Sequence, residues 1–240
     1  LLIRDVEILL FDLDDDIPDE AEIRGLVEKA QSAGLTYTVH TPLGASLASE
    51  NEARRQASVE IVGRAIDIAS PLRPHAYIVH VYLGDNEHDL PGARLDAASA
   101  KAWRGRAARS LEALLQRGCA PADLCVETLD YDFAIIAPVV RDLGLSLALD
   151  LGHLERDGRS AHKLLEEHLD RTKVIQWHGV VPGGRDHGSL CHYLRVQARR
   201  VIDTLLAARY AGVLTLEVFG ESDFTESLAL VESLLAEARA

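Results

Sequence analysis

Short apolar runs rich in Val, Ile and Leu alternate with longer segments of helical period along the whole chain, and this alternation confines it to an α/β fold. Seven runs stand out: Val6–Phe11, Thr36–His40, Ala76–Tyr82, Leu124–Leu129, Leu145–Asp150, Val174–Val180 and Val213–Phe219. Each is too short for a helix. Asp19–Ala33, Ser49–Ser70, Ala97–Arg117, Phe133–Leu143, Ser160–Leu169, Leu190–Ala211 and Ser222–Ala238 read as the helices that follow them. Gly34, Gly118, Gly144 and Gly212 each stand just before a strand, where a helix C-terminus favours glycine, and Pro18 is placed as a first-turn proline.

The runs are continuously apolar, which implies strands buried on both faces of a parallel sheet wrapped by helices. A barrel or a doubly wound sheet would satisfy this. No GxGxxG or GxxxxGK[ST] turn follows the first strand, and polar residues recur at nearly every strand end instead of at one switch point. Both features favour a (β/α)8 TIM barrel. With 240 residues and 48% hydrophobic content the chain has the size of one such barrel, a single domain over residues 1–240. Methionine is absent, position 1 included. An N-terminal segment carrying the first strand is therefore expected to precede Leu1, which makes Val6–Phe11 the second strand.

The formal net charge of −13 repels phosphate backbones and anionic headgroups, so neither duplex nucleic acid nor a membrane surface is the expected partner. Cys119, Cys125 and Cys191 form no CxxC pair, which argues against a disulfide framework or a thiolate zinc site and fits a reducing cytoplasm. No apolar run approaches the roughly 20 residues needed to span a bilayer, and no export signal opens the chain.

The chemistry gathers at the carboxyl ends of the strands. TYTVH ends in His40, AYIVH in His80, LCVE in Glu127, LALD in Asp150, VIQWH in His178 and LTLE in Glu217, so six of the seven runs lead to a metal-ligand side chain. One such residue is ordinarily a solvated loop group. Six together point to convergence at one barrel rim. An imidazole or carboxylate after buried aliphatics costs several kcal/mol if desolvated alone, and a shared cation offsets that cost. Three histidines and three carboxylates suit Zn²⁺ or Mn²⁺ in preference to a soft, thiolate-preferring ion.

His153, in Asp150-Leu-Gly-His153, could return a second side chain to the rim or cap the next helix. Asp186 and His187 lie in the glycine-rich excursion 182–188 after His178, too long for a tight turn and so read as functional. Arg185 in the same loop could pair with a substrate phosphate, against the alternative of a solvated arginine. Structural roles are expected for His75, His162, His168 and His192, and Trp177 should point away from His178 into the core. The acidic run Asp12–Asp16 reads as a solvated loop, and His88 belongs to a long loop, Leu83–Gly92, that could cover the site.

With these residues in place, the chain resembles the xylose isomerase-like barrel superfamily, which holds endonuclease IV-type phosphodiesterases and sugar isomerases and epimerases. Glu127, Asp150, His178 and Glu217 look like the metal set common to both branches. His40 and His80 resemble the additional histidines of the endonuclease-like branch, where Glu127 would bridge two ions. The segments YTVHTPL, AYIVH, LCVETL, LDLGHL, HGV with DHGSL, and GVLTLEVF are similar to the cobamide-remodelling phosphodiesterases. That resemblance implies a corrinoid substrate, with hydrolysis of the nucleotide-loop phosphodiester of an adenosylated cobamide to adenosylcobinamide phosphate and an α-ribazole-type nucleoside. One departure concerns the third metal, whose Asp-x-His pair reads here as Arg185-Asp186-His187.

The expected division gives His40 and His80 to one ion, Asp150, His178 and Glu217 to another, and Glu127 to both. His153 and His187 would complete a third site or bind the phosphate. A sugar isomerase or epimerase is the alternative, with Glu127 and Glu217 exchanging a proton with carbon. A non-catalytic corrinoid or sugar sensor is a third reading, which the six ligand-type residues disfavour.

Overall fold

The computed structural model describes residues 3–10, 18–85, 95–183 and 185–239. Phe11, the run Asp12–Asp16, His88 and Gly184 lie outside the described residues. The chain divides into two compact units, Leu2–Leu147 and Ala148–Ala240.

The N-terminal unit alternates strand and helix: β1 (Asp5–Leu9), α1 (Glu20–Ala33), β2 (Thr36–His40), α2 (Glu52–Ala69), β3 (Ala76–Val79), α3 (Ala97–Leu115), β4 (Leu124–Glu127) and α4 (Ala137–Asp142). Strands β1 to β4 are neighbours in sequence order and pair in parallel, with His40 in register with Leu9 and Ile78. Val39, Ile78, Val79, Leu124, Cys125 and Val126 are fully buried, as continuous apolar runs covered on both faces require. The Asp19 carboxylate caps α1 by accepting from the Ala21 and Glu22 amides at 2.7 and 2.8 Å, and Glu22 returns to the Asp19 amide at 2.9 Å. Pro18 therefore precedes the cap and does not enter the first turn. Gly34 ends α1 at φ 66°, the left-handed turn that glycine adopts without steric cost.

Two contacts fix the chain just past β3, where His80 stands. The buried Trp103 of α3 donates from Nε1 to the Tyr82 carbonyl at 3.0 Å, and the Tyr131 hydroxyl donates to the Val81 carbonyl at 2.8 Å.

The C-terminal unit begins within β5 (Ser146–Asp150) and continues with α5 (Leu151–Arg156), α6 (Ala161–His168), β6 (Thr172–Trp177), β7 (Gly179–Val181), β8 (Arg185–Gly188), α7 (Arg195–Ala207), β9 (Val213–Leu216) and α8 (Glu221–Arg239). β6 and β9 pair in parallel, whereas β7 and β8 form an antiparallel hairpin. The expected strand Val174–Val180 thus breaks at His178. Gly179 makes the break feasible, since a Cβ there would lie 2.0 Å from the Ser189 carbonyl oxygen. The expected helix Leu190–Ala211 is also divided, into a 3-10 turn at Leu190–His192 and α7, because Tyr193 is extended (φ −77°, ψ 141°). His192 ends that turn and does not open a helix. Past α7 the left-handed residue is Arg209 at φ 51°, not Gly212, whose missing side chain instead admits Lys173 O, 2.5 Å from where a Cβ would stand. Trp177 faces the core formed with Leu149, Ile175, Leu190 and Tyr193, on the opposite side of the strand from the neighbouring histidine.

Candidate metal centre

β2, β3 and β4 deliver His40, His80 and Glu127 to one place in the N-terminal unit. The Glu127 carboxylate, 2% exposed, presents Oε2 to His40 Nε2 at 3.0 Å and to His80 Nε2 at 2.8 Å. The two imidazoles meet edge to face with centroids 4.8 Å apart. Their remaining nitrogens are oriented too: His40 Nδ1 donates to the Thr41 carbonyl at 3.0 Å, and His80 Nδ1 lies 2.5 Å from the Tyr82 hydroxyl. Such outer contacts fix the ring and leave Nε2 for a ligand. Burial pushes the His40 imidazole down, but the hydrogen bond and charge of Glu127, aided by Glu7 and the Thr41 carbonyl, raise it to about 9. A proton sits where two nitrogens and a carboxylate oxygen could share a cation.

The second cluster stands on β5, α5, the β7–β8 hairpin and the end of β9. Asp150 closes β5 and caps α5, its Oδ1 accepting from the His153 amide at 2.8 Å. That cap turns the His153 ring back, so that Nδ1 lies 2.9 Å from Asp150 Oδ2. His178 Nε2 lies 3.3 Å from Asp150 Oδ1 and, fully buried, makes no hydrogen bond. Burial would raise the Asp150 carboxyl, yet the charges of His153 and His178 and the contact of His153 Nδ1 hold it well below the usual carboxylate range. The hairpin brings His187 back, its amide donating to His178 Nδ1 at 3.0 Å and its ring 4.3 Å from that of His178. His187 adopts φ 54°, a conformation that β-carbon residues rarely hold without a reason. Its Nδ1 donates to the Glu217 carbonyl at 3.1 Å, and burial together with the His178 charge keeps its imidazole below the ordinary histidine value.

Within single units, three sets of donors among the described residues are compact enough for an ion. The ligand atoms of His40, His80 and Glu127, those of Asp150, His178 and Glu217, and those of His153, His178 and His187 lie, within each set, no more than 4.8 Å from one another. The last two sets share His178. The fully buried His178 Nε2 makes no hydrogen bond, and a divalent cation would supply the partner that this nitrogen lacks.

Asp186, expected as a ligand, is placed otherwise. Its Oδ2 lies 2.5 Å from Arg156 Nη1 and 3.6 Å from His153 Nε2. Burial would raise its carboxyl, but Arg156 holds it below the ordinary range. Arg185 is exposed at the start of β8. The guanidinium that reaches this cluster belongs to Arg156, which the sequence reading missed because α5 itself went unrecognised. The signal was Asp150-Leu-Gly-His153, a cap three residues ahead of a histidine, with Arg156 one helical turn further on.

The family described as "Xylose isomerase-like TIM barrel" matches residues 4–237. No curated protein matches the sequence. Among solved structures, a D-tagatose 3-epimerase-like protein is similar at a TM-score of 0.77 and 18% identity, over 98% of this chain and 89% of that one. Endonuclease IV from Thermus thermophilus follows at 0.62 and 19%, over 92% and 84%. The TTHB071 protein from the same organism, soaked with ZnCl2, aligns at 0.68 and 18%, over 96% and 88%. Identities this low establish a shared fold alone.

Proposed function

The chain belongs to the xylose isomerase-like TIM barrel family, and within it we propose a divalent-metal-dependent phosphodiesterase that cleaves the nucleotide-loop diester of an adenosylated cobamide. The observation that carries this reading is the buried His40–His80–Glu127 cluster, a candidate cation site additional to the candidate site of Asp150, His178 and Glu217. Its donors suit Zn²⁺ or Mn²⁺, and so do those of the second cluster. The net charge of −13 favours a small substrate over a nucleic acid.

A bound divalent ion supplies Lewis acidity and neutralises charge on phosphoryl oxygens. The chain's own residues do the rest. Glu127 and Asp150 hold the histidines in orientation, with His40, His80, Glu127, Asp150, His153 and His178 buried and Glu217 and His187 part-buried, on the side open to substrate. With Nδ1 committed to the Glu217 carbonyl, His187 keeps Nε2 as a lone-pair nitrogen, and its lowered pKa keeps the ring neutral near pH 7. That atom takes a proton from the water whose oxygen bonds phosphorus and returns it to the nucleoside oxygen released as the ester P–O bond breaks, leaving the phosphate on the corrinoid product. His153, on the same cluster, contacts the phosphate.

The test is incubation with adenosylcobalamin and separate divalent ions, following products by mass spectrometry. Cleavage to adenosylcobinamide phosphate, lost in His40→Ala, is the expected result. A sugar isomerase or epimerase is the second reading, because Asp150, His178 and Glu217 alone can hold the single ion it needs. It predicts activity on ketoses that survives His40→Ala, and no diester cleavage with any ion.

A further inference from the structure

We propose that Phe219 is a stacking platform that selects substrates carrying a planar heteroaromatic base. The inference rests on the phosphodiesterase reading for the reaction it would serve. Phe219 is 66% exposed, and its ring lies on the His187 imidazole with centroids 4.5 Å apart and planes 23° from parallel. A scattered surface phenylalanine needs no explanation. This one is held against a cluster histidine that is itself fixed by His178, by the Glu217 carbonyl and by a left-handed backbone. One face of the ring is covered by imidazole, and the exposure belongs to the rest.

A preordered aromatic face gives up little conformational freedom on binding. A flat, polarisable group such as a nucleobase or benzimidazole covers that face most completely, whereas a sugar would offer it only C–H contacts. Phe219 follows Glu217 by two residues, so the platform is tied by the chain to the Asp150–His178–Glu217 donors. A diester held by that cluster would place its base, and not its phosphate, over the phenyl ring.

The experiment is isothermal titration of the zinc-supplemented protein with adenosine 5′-monophosphate and, separately, with ribose 5-phosphate. The wild type is expected to bind the nucleotide about tenfold more tightly, the scale of one base–aromatic stack. Phe219→Leu, apolar but without a flat face, should bring the two affinities within about twofold, while Phe219→Trp retains the preference. Equal affinities in the wild type, binding of neither ligand, or an unchanged preference in Phe219→Leu overturns the proposal. Hydrolysis of bis(p-nitrophenyl) phosphate separates the two ideas. Cleavage without a base preference removes only the platform, and a base preference without cleavage by any ion removes the phosphodiesterase.

Discussion

Arg156 of α5 reaches across to Asp186 of β8, with Nη1 2.5 Å from Oδ2, and neutralises a carboxylate that also lies 3.6 Å from His153 Nε2. The guanidinium stands where an ion could otherwise pair with His153 and Asp186. Arg156→Ala is expected to free Asp186 as a ligand and raise zinc content by about one equivalent per chain, measured by elemental analysis after gel filtration. Unchanged content would mean that Asp186 has no ligand role even when released.

Gly152 is the residue over which His178 lies. A Cβ at that position would sit 2.2 Å from His178 Cε1, so Gly152→Ala must move the imidazole away from Asp150. The affinity of the C-terminal cluster for zinc should fall about 10–100-fold, as when a ligand loses its support. The His40 cluster should retain its ion. Competition with a chromophoric chelator, resolving one weakened and one unaffected site, checks this.

His40 gives the pH dependence its sign. Its imidazole is raised from 6.5 to about 9 in the folded, metal-free chain, so the proton is held more tightly than in the unfolded chain. The stability this contributes is fully present below pH 6.5 and is lost as the pH rises through about 9. An ion must displace the same proton. Apparent zinc affinity at this cluster should therefore climb by about tenfold per pH unit up to the His40 pKa and flatten above it. In Glu127→Gln, where burial acts without the opposing charge, the plateau should arrive at lower pH. NMR titration of the His40 ring and zinc affinities at several pH values test both parts.

Metal removal should lower thermal stability. Zinc held at about 100 times its dissociation constant stabilises a folded chain by roughly 2.7 kcal/mol per site. Chelation should reverse that gain, and His40→Ala should lose the part belonging to one cluster only. Melting curves with and without chelator separate the two contributions.

The sequence was most legible where one physical demand acted alone. Continuous burial marked β2 to β4 within a few residues, and the step from aliphatic to polar at the strand ends singled out His40, His80 and Glu127, which cluster, and Asp150, His178 and Glu217, which form a second cluster. It was least legible around His178, where the chain leaves β6 and at once begins β7. Valines continue across Gly179, so the apolar pattern runs on while the backbone turns. α5 was hidden for a related reason: it has six residues, too few to display a helical period. Missing it concealed Arg156, the cationic partner of the Asp186 carboxylate.

Trp177 precedes His178 by one peptide bond, is completely buried, and meets Tyr193 edge-on at 5.7 Å with no hydrogen bond to its indole nitrogen. An indole in so apolar a setting emits at short wavelength, and any shift of the adjoining backbone alters its intensity. The chain has two tryptophans, so replacing Trp103 leaves a single tryptophan, selectively excited at the red edge of protein absorption, beside a candidate ligand. The molecule thus carries a built-in optical reporter of the Asp150–His178 region, readable during titration without any attached dye.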